Sequence, residues 1–190
     1  MDQNKTEKEI SRADGRLPNN TASKVICVDC VLICLVLLFN TIFHPVVVKG
    51  SSMEPTLFEG DKYLLLRLFA DQPHRGDVVV LEAPDGRMLV KRVIGLPGDT
   101  VSFQDGYVYI NGEKLDEPYL SRQGVTASGR QEEYTVPEGC LFFMGDNRTG
   151  SYDARSWKEP YIPVGNVRSH VMLCVSVLKG NSWRGICAVS

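Results

Sequence analysis

Hydrophobic and polar positions fall into three regimes along the chain. Residues 1–24 are polar, carry charges of both signs and hold too few apolar residues for a core, which predicts a disordered tail. Residues 25–43 are apolar almost throughout, with Asp29, Asn40 and Thr41 as the exceptions. Nineteen residues at helical rise span roughly 28 Å, close to the hydrocarbon thickness of a bilayer. Asp29 lies one turn inside this segment and can snorkel toward the headgroups.

Beyond residue 43 the period changes to that of strands. Short apolar or alternating runs at 46–48, 62–68, 77–83 and 87–94 are separated by turn residues, and Pro84-Asp85-Gly86 marks a hairpin. Runs at 101–104, 107–110 and 113–115, joined by Asp105-Gly106 and Asn111-Gly112, predict a three-stranded meander with two tight turns. Further strands are expected at 133–136, 140–144 and 171–178. No long amphipathic helix pattern and no internal repeat follow the apolar segment. The pattern predicts an all-β domain over 44–190, of folded antiparallel sheets, barrel-like, with a small β cap at about 99–140.

Two other readings of the apolar segment are a buried core helix and a cleavable signal peptide. The long polar stretch before it, and His44-Pro45 and valines in place of an Ala-x-Ala site after it, favour an uncleaved transmembrane anchor. Lys5, Lys8, Arg12, Arg16 and Lys24 precede it, whereas only Lys49 lies in the fifteen residues that follow. The positive-inside rule then predicts a single-pass protein of the plasma membrane, its N-terminus cytoplasmic and residues 44–190 on the outer face.

Composition narrows the function. With 43% apolar and 23% charged residues the chain is not wholly disordered, and a net charge of −2 gives no basic field for nucleic acid. Six cysteines are too sparse for a disulfide scaffold. Cys27-x-x-Cys30 lies in the apolar segment with no second pair to complete a metal site, so these cysteines read as small hydrophobes. Pairing among Cys140, Cys174 and Cys187 stays open. No metal or cofactor is expected.

Three stretches carry candidate chemistry. Gly50-Ser51-Ser52-Met53-Glu54-Pro55-Thr56-Leu57 follows the anchor, and its small residues leave room for a substrate backbone; taken alone it reads as a linker. In the strand 87–94, Lys91 alternates with apolar Leu89 and Val93 on one face. Desolvation lowers the pKa of an ammonium and can turn a lysine into a general base, although a lone strand lysine equally serves to protect a sheet edge. Gly145-Asp146-Asn147-Arg148-Thr149-Gly150-Ser151-Tyr152-Asp153-Ala154-Arg155 is a dense polar loop after an apolar strand, without the ligand spacing of a calcium loop. His44, His74 and His170 sit in no recognisable triad context.

Taken together and in this order, these stretches resemble the type I signal peptidases, the bacterial leader peptidase family, in the compact Gram-positive-like form. The matching residues are Ser52-Met53-x-Pro55-Thr56-Leu57, Gly60-Asp61, the run from Lys91 to Asp99, and Gly145-Asp146-Asn147-Arg148-x-x-Ser151-x-Asp153-x-Arg155. The resemblance covers about residues 45–165. It implies a membrane-anchored serine endopeptidase that removes signal peptides from exported preproteins after small residues, the Ala-x-Ala pattern. Ser52 would be the nucleophile, Lys91 its general base, and Ser151 the hydroxyl that orients the lysine. Arg92 with Asp146, and Asp153 with Arg155, would be structural ion pairs. By position Val48, Met53, Leu57, Leu89 and Val90 match the residues lining the shallow substrate pocket.

The chain departs from the family pattern at two positions. Gly50 stands where Gram-negative members carry a hydroxyl that helps hold the oxyanion, which leaves the Ser52 N–H and a backbone group near Gly50 for that task. Ala154 replaces a common serine. The implied partners are exported preproteins, the lipid bilayer and the translocation machinery. The same Ser/Lys chemistry dedicated to one exported substrate is an alternative. An anchored β domain that only binds exported peptides is another, disfavoured by the presence of Ser52, Lys91 and Ser151 together. A LexA-type Ser/Lys protease would need a DNA-binding region, and the anchor speaks against it.

Overall fold

A computed structural model of the protein describes residues 20–60, 62–66, 72–175 and 186–188. The chain divides into two compact units, 1–41 and 42–190. In the first, helix α1 runs Asn20–Ile42. Its stretch Lys24–Ile42 is long and apolar enough to cross a membrane. From Val25 to Leu38 its leucines, valines and isoleucines are each more than half exposed, on every face of the helix. Asn40 Nδ2 and Thr41 Oγ1 donate back to the carbonyls of Val36 (3.0 Å) and Leu37 (2.8 Å), so these two polar side chains are satisfied within the helix. The boundaries differ slightly from expectation. Residues 20–24, expected in the tail, are helical, and Phe43, expected in the span, opens a strand. The rest of the tail, 1–19, lies outside the described residues.

The second unit is built of antiparallel strands. The larger sheet has the order β1 (Phe43–Val47), β2 (Lys62–Leu66), β11 (Val167–Val175), β3 (Val78–Glu82), β4 (Met88–Gly95), β9 (Cys140–Met144), β10 (Tyr161–Pro163), with β12 (Ile186–Ala188) also paired to β11. The smaller sheet has the order β7 (Glu113–Lys114), β6 (Tyr107–Ile110), β5 (Thr100–Gln104), β8 (Glu133–Thr135). The expected turns close the meander: Asp105 (φ 50) with Gly106 and Asn111 (φ 53) with Gly112 take the positive φ pair that a two-residue hairpin needs. Asn111 adds its side chain, accepting from Thr100 N–H (2.8 Å) and donating to Asp99 (2.9 Å).

Two strands were not expected from the sequence, and a third starts earlier than expected. β10 is three residues long and ends on Pro163, tolerable because it is an edge strand. β12 is equally short. β11 begins at Val167, four residues before the expected start, because bulges at 167–169 and 171–173 break the alternation that would reveal it. The expected extension to 178 lies outside the described residues.

Burial explains the order of strands. β3 is buried on both faces: Val79 and Leu81 join the main core, Val78 and Val80 a second cluster. The main core runs on into the smaller sheet through Val101, Val108, Ile110, Tyr134 and Val136. The two sheets therefore share one core. At their junction Gly95 leaves no room for a side chain, since a Cβ would come within 2.8 Å of both Val101 and Val136. The second cluster gathers Val48, Met53, Leu57, Val78, Val80 and Val171, with Val46 and Val90 packed on it. Cys140 is free. Cys174 and Cys187 are partners in the β11–β12 register, and their side chains lie outside the described residues.

Candidate active site

The loop 48–60 leaves β1 and is closed at its base by Gly60 N–H donating to Val48 carbonyl (2.9 Å). Met53 and Leu57, 1% and 0% exposed, plug it into the second cluster. Turn bonds from Glu54 N–H to Ser51 O (3.1 Å) and Leu57 N–H to Met53 O (2.9 Å) tighten it. The Glu54–Pro55 peptide bond is cis. Ser52 is thus held on a stiff turn and remains half-buried, with its neighbour Ser51 exposed.

β4 carries Lys91 in the opposite way. It lies between Leu89 and Val93, which pack on the main core, and directly across from Val79 on β3. Lys91 is 3% exposed. This burial, which disfavours the ammonium, lowers its pKa from 10.5 to about 8; Asp153 and Asp146 pull the other way, and Arg155 adds to the lowering. A lysine near 8 supplies neutral amine at physiological pH, which an ordinary lysine does not.

The loop after β9 completes the site. Arg92 pairs with Met144 across β4 and β9, so Lys91 and Gly145 stand one step further along the same two strands. Gly145 is the point of closest approach. A Cβ there would fall 2.2 Å from Ser151 Oγ and 2.4 Å from the Ser52 carbonyl, so no other residue fits without displacing both. Ser151 Oγ is buried and has no hydrogen-bond partner among the described residues. Asn147 ties the Ser52 turn to this loop: its N–H donates to Ser52 O and its Nδ2 to Ser51 O, each at 3.1 Å.

Two buried ion pairs frame these residues. Arg92 Nε and Nη2 donate to Asp146 at 2.9 and 2.7 Å, and Thr56 Oγ1 donates to the same carboxylate at 2.5 Å. Arg155 Nε and Nη2 donate to Asp153 at 2.9 and 2.8 Å, and Asp153 accepts in turn from Gly145 N–H (3.0 Å). Both pairs are shielded from solvent, and their hydrogen bonds offset the cost of burying the charges.

Of the residues expected to line the pocket, Val48, Met53, Leu57 and Val90 share the second cluster, whereas Leu89 packs on the main core on the other face of β4. Gly50 is exposed, and its N–H donates to Glu59 Oε1 (3.2 Å), so this amide is already engaged. Sequence reasoning assigned no role to Thr56, Asn147 and Arg148, though they stood inside the quoted motifs. It missed Glu117, Tyr119 and Thr126 altogether. Glu117 and Thr126 are 2% exposed and both accept from Arg148 Nη1 at 3.0 Å. Asp116-Glu117-Pro118 has the composition of a solvated turn, and nothing in it signals burial. Among the described residues no cluster of His, Cys, Asp and Glu is arranged to hold a metal ion.

Residues 21–176 match the family described as signal peptidase, peptidase S26. The chain is 41% identical over 143 residues to signal peptidase I of Bacillus licheniformis, covering 70% of this chain and 76% of that protein. It is 40% identical over 139 residues to signal peptidase I T of Bacillus subtilis strain 168, covering 68% and 72%. The crystal structure of a signal peptidase I from Enterococcus faecalis V583 is 33% identical, covers 53% of this chain and 97% of that one, and superposes with a TM-score of 0.45. A family match over most of the chain, and relatives at this identity, show that the protein belongs to the peptidase S26 family of signal peptidases.

Proposed function

We propose that this signal-peptide-removing serine endopeptidase works through Ser52 as nucleophile and Lys91 as general base, with Ser151 orienting the lysine. The observation that carries the reading is the burial of Lys91, with a pKa of about 8, beside Gly145, where the loop that holds Ser151 meets the loop that holds Ser52. The preprotein lies extended between the stretch before Ser52 and β4, its small side chains facing the apolar surface of Val48 and Val90. Ser52 Oγ attacks the scissile carbonyl while neutral Lys91 Nζ accepts its proton. The tetrahedral oxyanion rests on the Ser52 N–H. Lys91 then gives the proton to the departing amine, which frees the mature protein and leaves an acyl-serine. Water, deprotonated by the again neutral lysine, attacks the ester. Ser52 recovers its proton from Lys91, and the signal peptide leaves with a new carboxylate.

The enzyme is membrane-anchored, and its substrates are exported preproteins. The excess of Lys and Arg before α1 supports a cytoplasmic N-terminus and a catalytic unit on the outer face of the plasma membrane. In that place it would meet preproteins as the translocation machinery delivers them. The test is cleavage of a preprotein whose signal ends in Ala-x-Ala by the detergent-solubilised full-length chain. Wild type and Ser51→Ala should cut at the expected bond, and Ser52→Ala and Lys91→Ala should not. Activity surviving in Ser52→Ala would refute the assignment.

A further inference from the structure

Arg148 is a buried cation for which the reaction described above has no use. It is 4% exposed, and all its donors are engaged within the protein. Nε donates to Gly145 O (3.0 Å). Nη1 donates to Glu117 Oε2 and Thr126 Oγ1, both at 3.0 Å, and Nη2 to Glu117 Oε1 and to Tyr119 OH (3.4 Å). Tyr119 OH donates to Glu117 Oε1 at 2.8 Å, while the Tyr119 ring lies 3.8 Å from the guanidinium carbon of Arg92. Glu117 thus neutralises one buried cation and, through Tyr119, covers the other. It comes from the segment between β7 and β8, far in sequence from the residues of the reaction.

What Arg148 holds is the Gly145 peptide. That peptide is fixed at both ends, its N–H on Asp153 and its carbonyl on Arg148. The space a Cβ on Gly145 would take is already filled by Ser151 and the Ser52 carbonyl. A tilt of Gly145 therefore moves both hydroxyl-bearing residues at once. We infer that Glu117, acting through Arg148 and the Gly145 carbonyl, is a positioning residue for the reaction, so that the segment between β7 and β8 sets the geometry of Ser52 and Ser151. The inference rests on the assignment of Ser52, Lys91 and Ser151 made above.

The experiment uses the full-length chain in detergent micelles, steady-state cleavage of an Ala-x-Ala preprotein, and thermal unfolding of each variant. Rates are expressed per folded molecule. Glu117→Ala should lower kcat by about a hundredfold with KM within about threefold, since sub-ångström to 1 Å misplacement costs on that order while the pocket is untouched. The pH midpoint should stay that of wild type, because the charges acting on Lys91 are Asp153, Asp146 and Arg155. Glu117→Gln keeps an acceptor for Arg148 and should recover kcat to within about tenfold of wild type. Glu133→Ala, an exposed carboxylate on β8, should be unchanged. A merely structural pair would lower the unfolding temperature of Glu117→Ala and leave kcat at the wild-type value, and that result overturns the inference. Should Glu117→Ala fail to fold, Thr126→Val removes one bond to Arg148 and Tyr119→Phe removes the bonds to Arg148 and Glu117, each at nearly constant size. Each should lower kcat several-fold, and wild-type kcat in both overturns the inference. Cleavage persisting in Ser52→Ala would instead bring down the catalytic assignment and this inference with it.

Discussion

The buried lysine makes a quantitative prediction about pH. With a midpoint at about 8, about one Lys91 in ten is neutral at pH 7 and about one in a hundred at pH 6. If neutral Lys91 is the base, kcat/KM rises about tenfold from pH 6 to 7, about fivefold more to pH 8, and levels by about pH 9.5. The same burial acts on stability. Holding the lysine near 8 rather than 10.5 is equivalent to about 3 kcal/mol against the ammonium. Below pH 8 both folded and unfolded chains are protonated, and this cost is borne in full. Between about pH 8 and 10.5 the unfolded chain binds more protons than the folded one, so stability rises with pH across that window. Lys91→Met has no such dependence. It should be inactive, yet more stable than wild type at pH 7 by up to about 3 kcal/mol, with the gap closing toward pH 10. Denaturant unfolding of both proteins in the same micelles at pH 7, 8.5 and 10 measures the gap, and initial cleavage rates from pH 6 to 10 measure the midpoint. A rate that keeps rising tenfold per pH unit past pH 9, or a stability gap that does not change with pH, would refute the reasoning.

Other consequences of the geometry are open to measurement. Gly145→Ala should reduce kcat by about a hundredfold or more with the fold retained, since its Cβ must displace Ser151 and the Ser52 carbonyl; wild-type turnover in this variant would mean the contact is not part of the site. Asp146→Ala leaves Arg92, 0% exposed, without its carboxylate, and should cost about 3–5 kcal/mol in denaturant unfolding. Asn147→Ala removes the bond to Ser51 O and those accepted from Thr149 and Gly150, but keeps the backbone bond to Ser52 O; since only the first ties the Ser52 turn, kcat should fall only about fivefold, the scale of one hydrogen bond. Burial works against the Asp99 carboxylate, but Arg75, the Leu96 N–H and Asn111 hold its pKa below 3.8. It therefore contributes stability above that value which is lost as pH falls through the lowered one, and Asp99→Asn should be less stable at neutral pH and show a shallower acid limb.

Local rules were sufficient where local chemistry decides. The two tight turns of the β5–β6–β7 meander were readable because Asp-Gly and Asn-Gly adopt a left-handed pair cheaply. The strands β6 and β9 appeared with their observed limits because their apolar runs end at clear turn residues. α1 was readable from its unbroken apolar composition. β11 was readable only from residue 171 on, because two bulges interrupt its period and its inward positions include Ser169.

By itself the sequence determined the kind of protein this is: one apolar segment, an antiparallel β unit, and three motif stretches whose order resembles a signal peptidase. Only the tertiary structure decided what those residues face. Arg92 and Asp146 are 54 positions apart, and Arg148 and Glu117 are 31 apart. Whether such groups are solvated or buried in pairs depends on which strands pack over them. Lys91 has a lowered pKa because the sheet removes it from water, and Leu89 and Val90, neighbours in sequence, enter different clusters because a strand turns successive side chains to opposite faces. Glu117 had no local signature at all, since its burial is a property of the site it closes.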